Sequence, residues 1–353
     1  MAAVKPTDVG PLSILHVDLS KDFGGSERYC VDIAARQIAA GHKVGLVAWR
    51  APAHRNAVQK HAPPGLVVYE APPIFASWTV KRAIREMSAD IVNVHLPDSA
   101  RAFAAVRGPK PPAVMTLHLR YRHKEAKGID GLICVAGWQE AESAEFTGPK
   151  LVARNWPPAE VPADPVKIAA ARAEIGGDDS TFVIGSIARL NRIKRIDLLI
   201  DAFHRAGLDN ARLALIGDGK EREALMARAG GDPSIRFLGQ RSDVQNWHRA
   251  IDLFVLSSDW EGLPLGVLEA MRAGTPILAT ASTGTAETLE GSGATLVPPG
   301  DVEAMTHALR DLRARAAHGM MVRRRYDLSR YDADRSVAAV EQFYREIIAR
   351  RKA

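Results

Sequence analysis

The stretch Ser257-Ser258-Asp259-Trp260-Glu261-Gly262-Leu263-Pro264-Leu265-Gly266-Val267-Leu268-Glu269-Ala270-Met271, entered from the apolar run Ile251 to Leu256, decides how this chain folds. The apolar run has the length of a buried strand, and Pro264 suits a first helical turn, where its missing N–H costs nothing. The stretch therefore reads as strand, turn and helix, with Glu261 in the turn and Glu269 inside the helix. At such a helix start the peptide N–H groups of Leu265 and Gly266 have no intrahelical carbonyl, so an anion such as a diphosphate fits there. Spacing alone would put two glutamates eight positions apart on a solvated face. Glu269, however, sits among Leu265, Val267, Leu268 and Met271, and a carboxylate buried without donors is costly. A carboxylate beside a diphosphate can accept hydrogen bonds from sugar hydroxyls.

Around this unit the chain repeats the same alternation. Strands are predicted at Phe182–Ile187, Leu213–Ile216, Ile235–Leu238, Leu253–Leu256, Pro276–Ala279 and Ala294–Val297. An earlier series runs through Ser13–Val17, Lys43–Ala48, Leu66–Tyr69, Ile91–Val94, Ala113–Thr116, Leu132–Val135 and Leu151–Arg154. Helical patterns intervene, as at Glu27–Ala40 and Val80–Met87, so each series implies a parallel sheet covered by helices. The Pro-rich segment from Trp156 to Pro165 interrupts the pattern and reads as a linker. The expected class is α/β: a domain over residues 1–155, a linker at 156–166, a second domain over 167–330, and a final helix within 331–353 returning to brace the first domain. Ligands of such sheets bind beyond the carboxyl ends of the strands, so two such domains are expected to face a central cleft.

At 353 residues the chain is long enough for two cores. No run approaches the ~20 apolar residues of a spanning helix, and Met1 to Gly10 lacks a signal-peptide core, so a cytoplasmic protein is expected. Cys30 and Cys134 stand in apolar surroundings with no Cys-x-x-Cys, which favours core thiols over a disulfide or metal site. The net charge of +6 is carried by residues 1–155, with 20 Lys and Arg against 14 Asp and Glu, while the remainder balances at 27 against 27. A scattered solvated surface explains such an excess as readily as a face toward an anionic partner, such as a phosphorylated glycolipid or the inner membrane surface. Nucleic acid is disfavoured, because aromatics are only 6% and no basic run is interleaved with them.

Further chemistry lies at predicted strand ends. Arg189 and Lys194, in Gly185-Ser186-Ile187-Ala188-Arg189-Leu190-Asn191-Arg192-Ile193-Lys194-Arg195, place two cations where they can share an anion. Arg grips phosphate oxygens bidentately and Lys adds a point charge. Gly24-Gly25-Ser26-Glu27 follows the first strand, where glycine permits close backbone approach. His95 and His118 both end apolar strands. Gly217-Asp218-Gly219 lacks the third glycine of a dinucleotide fingerprint. Gln240 and Arg241 form a polar turn after Phe237-Leu238-Gly239, and Thr283-Gly284-Thr285-Ala286-Glu287 follows another strand.

The segment from Ser257 to Thr280, with the Arg189 to Ala202 region, resembles the signature of retaining glycosyltransferases of family 4, the group 1 glycosyl transferases. The resemblance covers nearly the whole chain, is strongest from Gly185 to Asp301, and implies the GT-B fold. It implies that Glu261 contacts donor-sugar hydroxyls and Glu269 the nucleotide ribose. It assigns Arg189 and Lys194 to the diphosphate, Gly24 and Gly25 to donor phosphate or acceptor, Gln240 and Arg241 to the nucleobase, and His118 to positioning in the sugar site. Arg195 stands where the family usually has Gly, and Leu263-Pro264 where it often has Phe-Gly. The implied activity is transfer of a sugar from a nucleoside diphosphate sugar to a hydroxyl of a lipopolysaccharide or exopolysaccharide acceptor, with the anomeric configuration retained. No metal or other cofactor is expected, since Arg189, Lys194 and the helix start at Leu265 meet the phosphate charge. Alternatives are a non-catalytic nucleotide-sugar scaffold or sensor, or a same-fold phosphorylase or epimerase.

Overall fold

A computed structural model of the protein describes residues 10–20, 24–50, 61–72 and 74–352. The first nine residues, most of the segment read above for a signal peptide, lie outside them. The chain divides into two compact units, one formed by residues 1–155 with 332–353 and the other by 156–331.

In the first unit seven parallel strands are β1 (Ser13–Asp18), β2 (Lys43–Trp49), β3 (Val67–Ala71), β4 (Ile91–His95), β5 (Ala113–Leu117), β6 (Gly131–Cys134) and β7 (Lys150–Val152). Their order in the sheet is β3-β2-β1-β4-β5-β6-β7, so the chain reverses its direction of progress between β1 and β4. These strands are nearly continuous apolar runs because helices cover both faces, and β4, β5 and β6 are buried throughout. The helix Ala333–Lys352 belongs to this unit. Its Tyr344 hydroxyl accepts from Asn93 Nδ2 at 2.7 Å, Ser336 Oγ donates to the Arg154 carbonyl at 2.8 Å, and Arg351 pairs with Asp130 at 2.7 Å.

The second unit has six parallel strands, β8 (Phe182–Ile187), β9 (Ala211–Ile216), β10 (Ile235–Gly239), β11 (Leu253–Leu256), β12 (Ile277–Thr280) and β13 (Thr295–Val297). The order β10-β9-β8-β11-β12-β13 places its reversal between β8 and β11. The Pro-rich segment from Trp156 packs with this unit: Val161 N–H donates to Gln245 Oε1 at 2.9 Å, and Arg272 donates to the Pro158 carbonyl. No helix among the described residues is long and apolar enough to cross a membrane.

Candidate functional site

The residues singled out in the second unit cluster at the carboxyl ends of its strands. Arg189 and Lys194 follow β8, Gln240 and Arg241 follow β10, and Glu261 follows β11. The reversal between β8 and β11 thus brings the cations and Glu261 to the crevice where open α/β sheets bind ligands. Lys194 Nζ lies 2.6 Å from Glu261 Oε1, and Ser258 Oγ donates to the same oxygen at 2.6 Å. Ser257 Oγ bonds the Lys194 carbonyl at 2.8 Å, and Thr280 Oγ1, at the end of β12, bonds the Ser258 carbonyl at 2.5 Å. Glu261 is only 7% exposed, so its charge is held by a cation and a hydroxyl in place of water.

Two close approaches shape this crevice. A Cβ on Gly284 would stand 2.1 Å from the Gly262 carbonyl oxygen and 2.5 Å from that of Glu261. The helix Thr283–Leu289 therefore starts directly on the backbone that carries Glu261. A Cβ on Gly217 would stand 2.0 Å from the Ala188 oxygen, and one on Gly219 2.2 Å from the Leu190 oxygen. The loop after β9 thus packs on both sides of Arg189, which is itself exposed. The Gly-x-Gly spacing serves this loop-on-loop contact.

Helix Leu265–Ala273 begins one residue later than the sequence suggests, with Pro264 as the residue that precedes its first turn. Leu265 and Gly266 occupy that first turn, and Gly266 lies against the Ile187 carbonyl at the end of β8. Glu269 is buried, with its Oε2 3.8 Å from Nε2 of His248, a fully buried ring packed on Phe254. Sequence reasoning missed His248 because it reads as one polar residue within an amphipathic helix. Gln240 is exposed. Arg241 is engaged by the protein: Nε donates to the Leu238 carbonyl at 3.0 Å, the guanidinium pairs with Glu174, and it lies 4.8 Å over Trp247. Arg195 adopts a left-handed conformation at φ 47°, tied to Asp197 at 3.2 Å and Asp259 at 3.0 Å. The position thus has the backbone shape that glycine favours, and ion pairs accompany its side chain.

In the first unit, Gly24 precedes helix Gly25–Ala39 and its N–H donates to Glu27 Oε2 at 2.8 Å. Buried Asp18, at the end of β1, accepts from Cys30 Sγ at 3.3 Å. Burial, reinforced by the neighbouring Glu27 charge, pushes its carboxyl well above the ordinary range. His118, just past β5, is half-buried and does not stand alone. Its Nε2 lies 3.0 Å from His95 Nδ1, His95 Nε2 lies 3.1 Å from His16 Nδ1, and His16 Nε2 lies 2.8 Å from Gln37 Oε1. Burial lowers His16 to about 4 and His118 to about 3, and holds His95 well below the usual range. His16 and Gln37 escaped sequence reasoning, since they come from a mid-strand position and the far end of a helix.

The chain's single Asp-x-Asp spacing, Asp332-Ala333-Asp334, is used at the start of the last helix, where Asp332 accepts from the Arg335 N–H at 2.7 Å and Asp334 pairs with Arg36.

The two parallel α/β sheets, each with its strand-order reversal, define the class, the two-domain α/β architecture of GT-B glycosyltransferases. A crystal structure of Anabaena HepE in complex with UDP and glucose superposes with a TM-score of 0.77 at 20% identity, covering 96% of this chain and all of that one. Residues 181–315 match the model of the glycosyl transferases group 1, and residues 23–142 match that of glycosyltransferase family 4. The chain belongs to this family of group 1 glycosyltransferases. Among curated relatives, a lipopolysaccharide core biosynthesis mannosyltransferase of Rhizobium meliloti is 32% identical over 31% of this chain. An exopolysaccharide phosphotransferase of Streptomyces coelicolor is 28% identical over 77% of it. The matched regions span about a third of those relatives' own lengths, 34% and 30%.

Proposed function

We propose that this protein is a retaining glycosyltransferase that moves a sugar from a nucleoside diphosphate sugar to a hydroxyl of a cell-envelope glycan or glycolipid. The observation that carries this reading is the Lys194–Glu261–Ser258 cluster at the reversal between β8 and β11, next to the start of helix Leu265–Ala273. A cation, a helix start and a carboxylate there match the three chemical needs of the donor: charge on the diphosphate, peptide N–H groups for its oxygens, and an acceptor for sugar hydroxyls. Glu269 serves the ribose, Arg189 the diphosphate, and Gln240 and Arg241 the base. Similarity to a lipopolysaccharide core biosynthesis mannosyltransferase and to an exopolysaccharide phosphotransferase supports an envelope acceptor.

In the proposed step the acceptor oxygen bonds the anomeric carbon on the face from which the diphosphate departs, so configuration is retained. The acceptor proton passes to an oxygen of the leaving diphosphate, which relieves Glu261 of any role as base. Lys194, Arg189 and the helix start stabilise the departing charge without a metal.

Titration of the protein with UDP-glucose, UDP-galactose, UDP-N-acetylglucosamine and GDP-mannose, with and without EDTA, tests this reading. Selective binding of one donor that survives EDTA is expected, with transfer abolished in Glu261→Ala. Binding that disappears with EDTA refutes the metal-independent mechanism, and unchanged transfer by Glu261→Ala refutes the site.

The acceptor side carries an additional feature. Ile74, Phe75 and Trp78 are 85%, 60% and 59% exposed at the start of helix Ala76–Met87, which presents Lys81 and Arg85 to solvent one and two turns on. Apolar residues beside cations suit the surface of an anionic bilayer, in keeping with a lipid-linked acceptor and a peripheral cytoplasmic location.

A further inference from the structure

The line of imidazoles in the first unit imposes a chemical constraint on His118. Gln37, His16, His95 and His118 form an unbroken file with successive separations of 2.8, 3.1 and 3.0 Å. His16, His95 and Gln37 are fully buried, and the rings stack with centroids 5.3 and 5.2 Å apart. Tyr29 closes the side of the file against His95 and His118. Burial disfavours the imidazolium at every position, so each ring carries one proton and each link needs one donor and one acceptor. The amide oxygen of Gln37 can only accept. His16 must therefore donate through Nε2, which leaves its Nδ1 to accept from His95 Nε2; His95 Nδ1 in turn accepts from His118 Nε2. The order propagates from a buried amide to the half-buried end of the file.

Building on the transferase reading, we propose that Gln37, His16 and His95 are positioning residues that lock His118 in its Nε2–H tautomer, so that Nδ1 acts as a hydrogen-bond acceptor specific for a sugar hydroxyl. A neutral acceptor nitrogen accepts from an O–H and repels a phosphate oxygen. The first unit's histidine site thus selects the hydroxyl-bearing part of a substrate, and the diphosphate is left to other groups. His95 is the transmitter, since it is bonded at both ring nitrogens and reaches substrate only through His118.

Long-range 1H–15N spectra of the full chain with labelled histidine test this directly, without any substrate. We expect His16, His95 and His118 each protonated at Nε2 and unprotonated at Nδ1 at neutral pH. A wild-type His118 protonated at Nδ1, or present as imidazolium, overturns the proposal. In His95→Phe, which keeps a ring but neither nitrogen, His118 should become a tautomer mixture. The KM for the sugar substrate served by His118 should rise roughly five- to tenfold, the weight of one neutral hydrogen bond, with a smaller change in kcat. Gln37→Leu, which removes the terminal acceptor and leaves all three rings in place, gives the same tautomer test if His95→Phe does not fold. An unchanged His118 tautomer in either folded variant refutes the relay. The expected tautomers in a chain that binds no nucleotide sugar would leave the file standing and remove the transferase reading, whereas an active transferase with Nδ1–H His118 would do the reverse.

Discussion

Replacing Gly284 by alanine tests whether the placement of Glu261 depends on the backbone beneath it. The added Cβ would lie 2.1 Å from the Gly262 oxygen, whereas ordinary contact begins at 3.4 Å, so the helix start or the Glu261 loop must yield by more than 1 Å. Neither neighbour is a flexible side-chain tip: both close atoms are backbone oxygens. Overpacking of this kind costs about 1–3 kcal/mol. For a unit of this size that lowers Tm by roughly 2–12 °C. The functional effect should be larger, because displacement of a reacting geometry by ~1 Å costs on the order of 100-fold in rate. The assays are thermal unfolding, calorimetric titration with the donor that the wild type binds, and transfer. Thr283→Ala, one residue away and exposed, should behave as wild type in all three. A Gly284→Ala protein with wild-type Tm, donor affinity and transfer would refute the claim that the helix start sets the Glu261 loop.

Other outcomes follow from single features. At Arg195 the left-handed backbone costs a non-glycine residue about 1–2 kcal/mol, and its half-exposed ion pairs return less than ~1 kcal/mol each. Arg195→Gly should therefore be close to neutral and Arg195→Ala less stable than Arg195→Gly by about 1 kcal/mol in urea unfolding; the opposite ranking would disprove the strain. His16 is held at about 4, below the 6.5 of a free imidazole, so below pH 6.5 the unfolded chain takes up a proton there that the folded chain refuses. Stability should fall as pH drops from 6.5 to 4, by roughly 3 kcal/mol from this ring, and His16→Gln should flatten that slope; an equally steep slope in the variant would contradict the assignment. Phe75→Ser with Trp78→Ser should lower partitioning onto phosphatidylglycerol vesicles by at least about tenfold, given ~1.5–3 kcal/mol per large apolar side chain buried. Wild-type partitioning should also weaken with added salt, and binding insensitive to both changes would exclude this surface.

The sequence by itself determined the two parallel-sheet units. Apolar runs of strand length alternating with amphipathic helices leave few other ways to bury both faces of each strand, as the runs Ile91–Val94 and Leu253–Leu256 show. The same reading put Glu261 in a turn and Glu269 in a helix, because Pro264 and the apolar residues after it are local signals. What only tertiary structure decided are the partners. Lys194 meets Glu261 across 67 positions of sequence, and His16 meets His95 across 79. Sheet order sets both encounters, since β8 lies beside β11 and β1 beside β4. In sequence Gly217 and Gly284 only follow predicted strands, yet each makes room for another loop's carbonyl oxygen. Arg241, which in sequence is a polar turn residue that the resemblance assigns to the nucleobase, is engaged by Glu174 and Trp247. Local sequence carries propensity and periodicity over a few residues, whereas the choice of which strand ends become neighbours is a property of the whole sheet, and the candidate site residues are gathered at those strand ends.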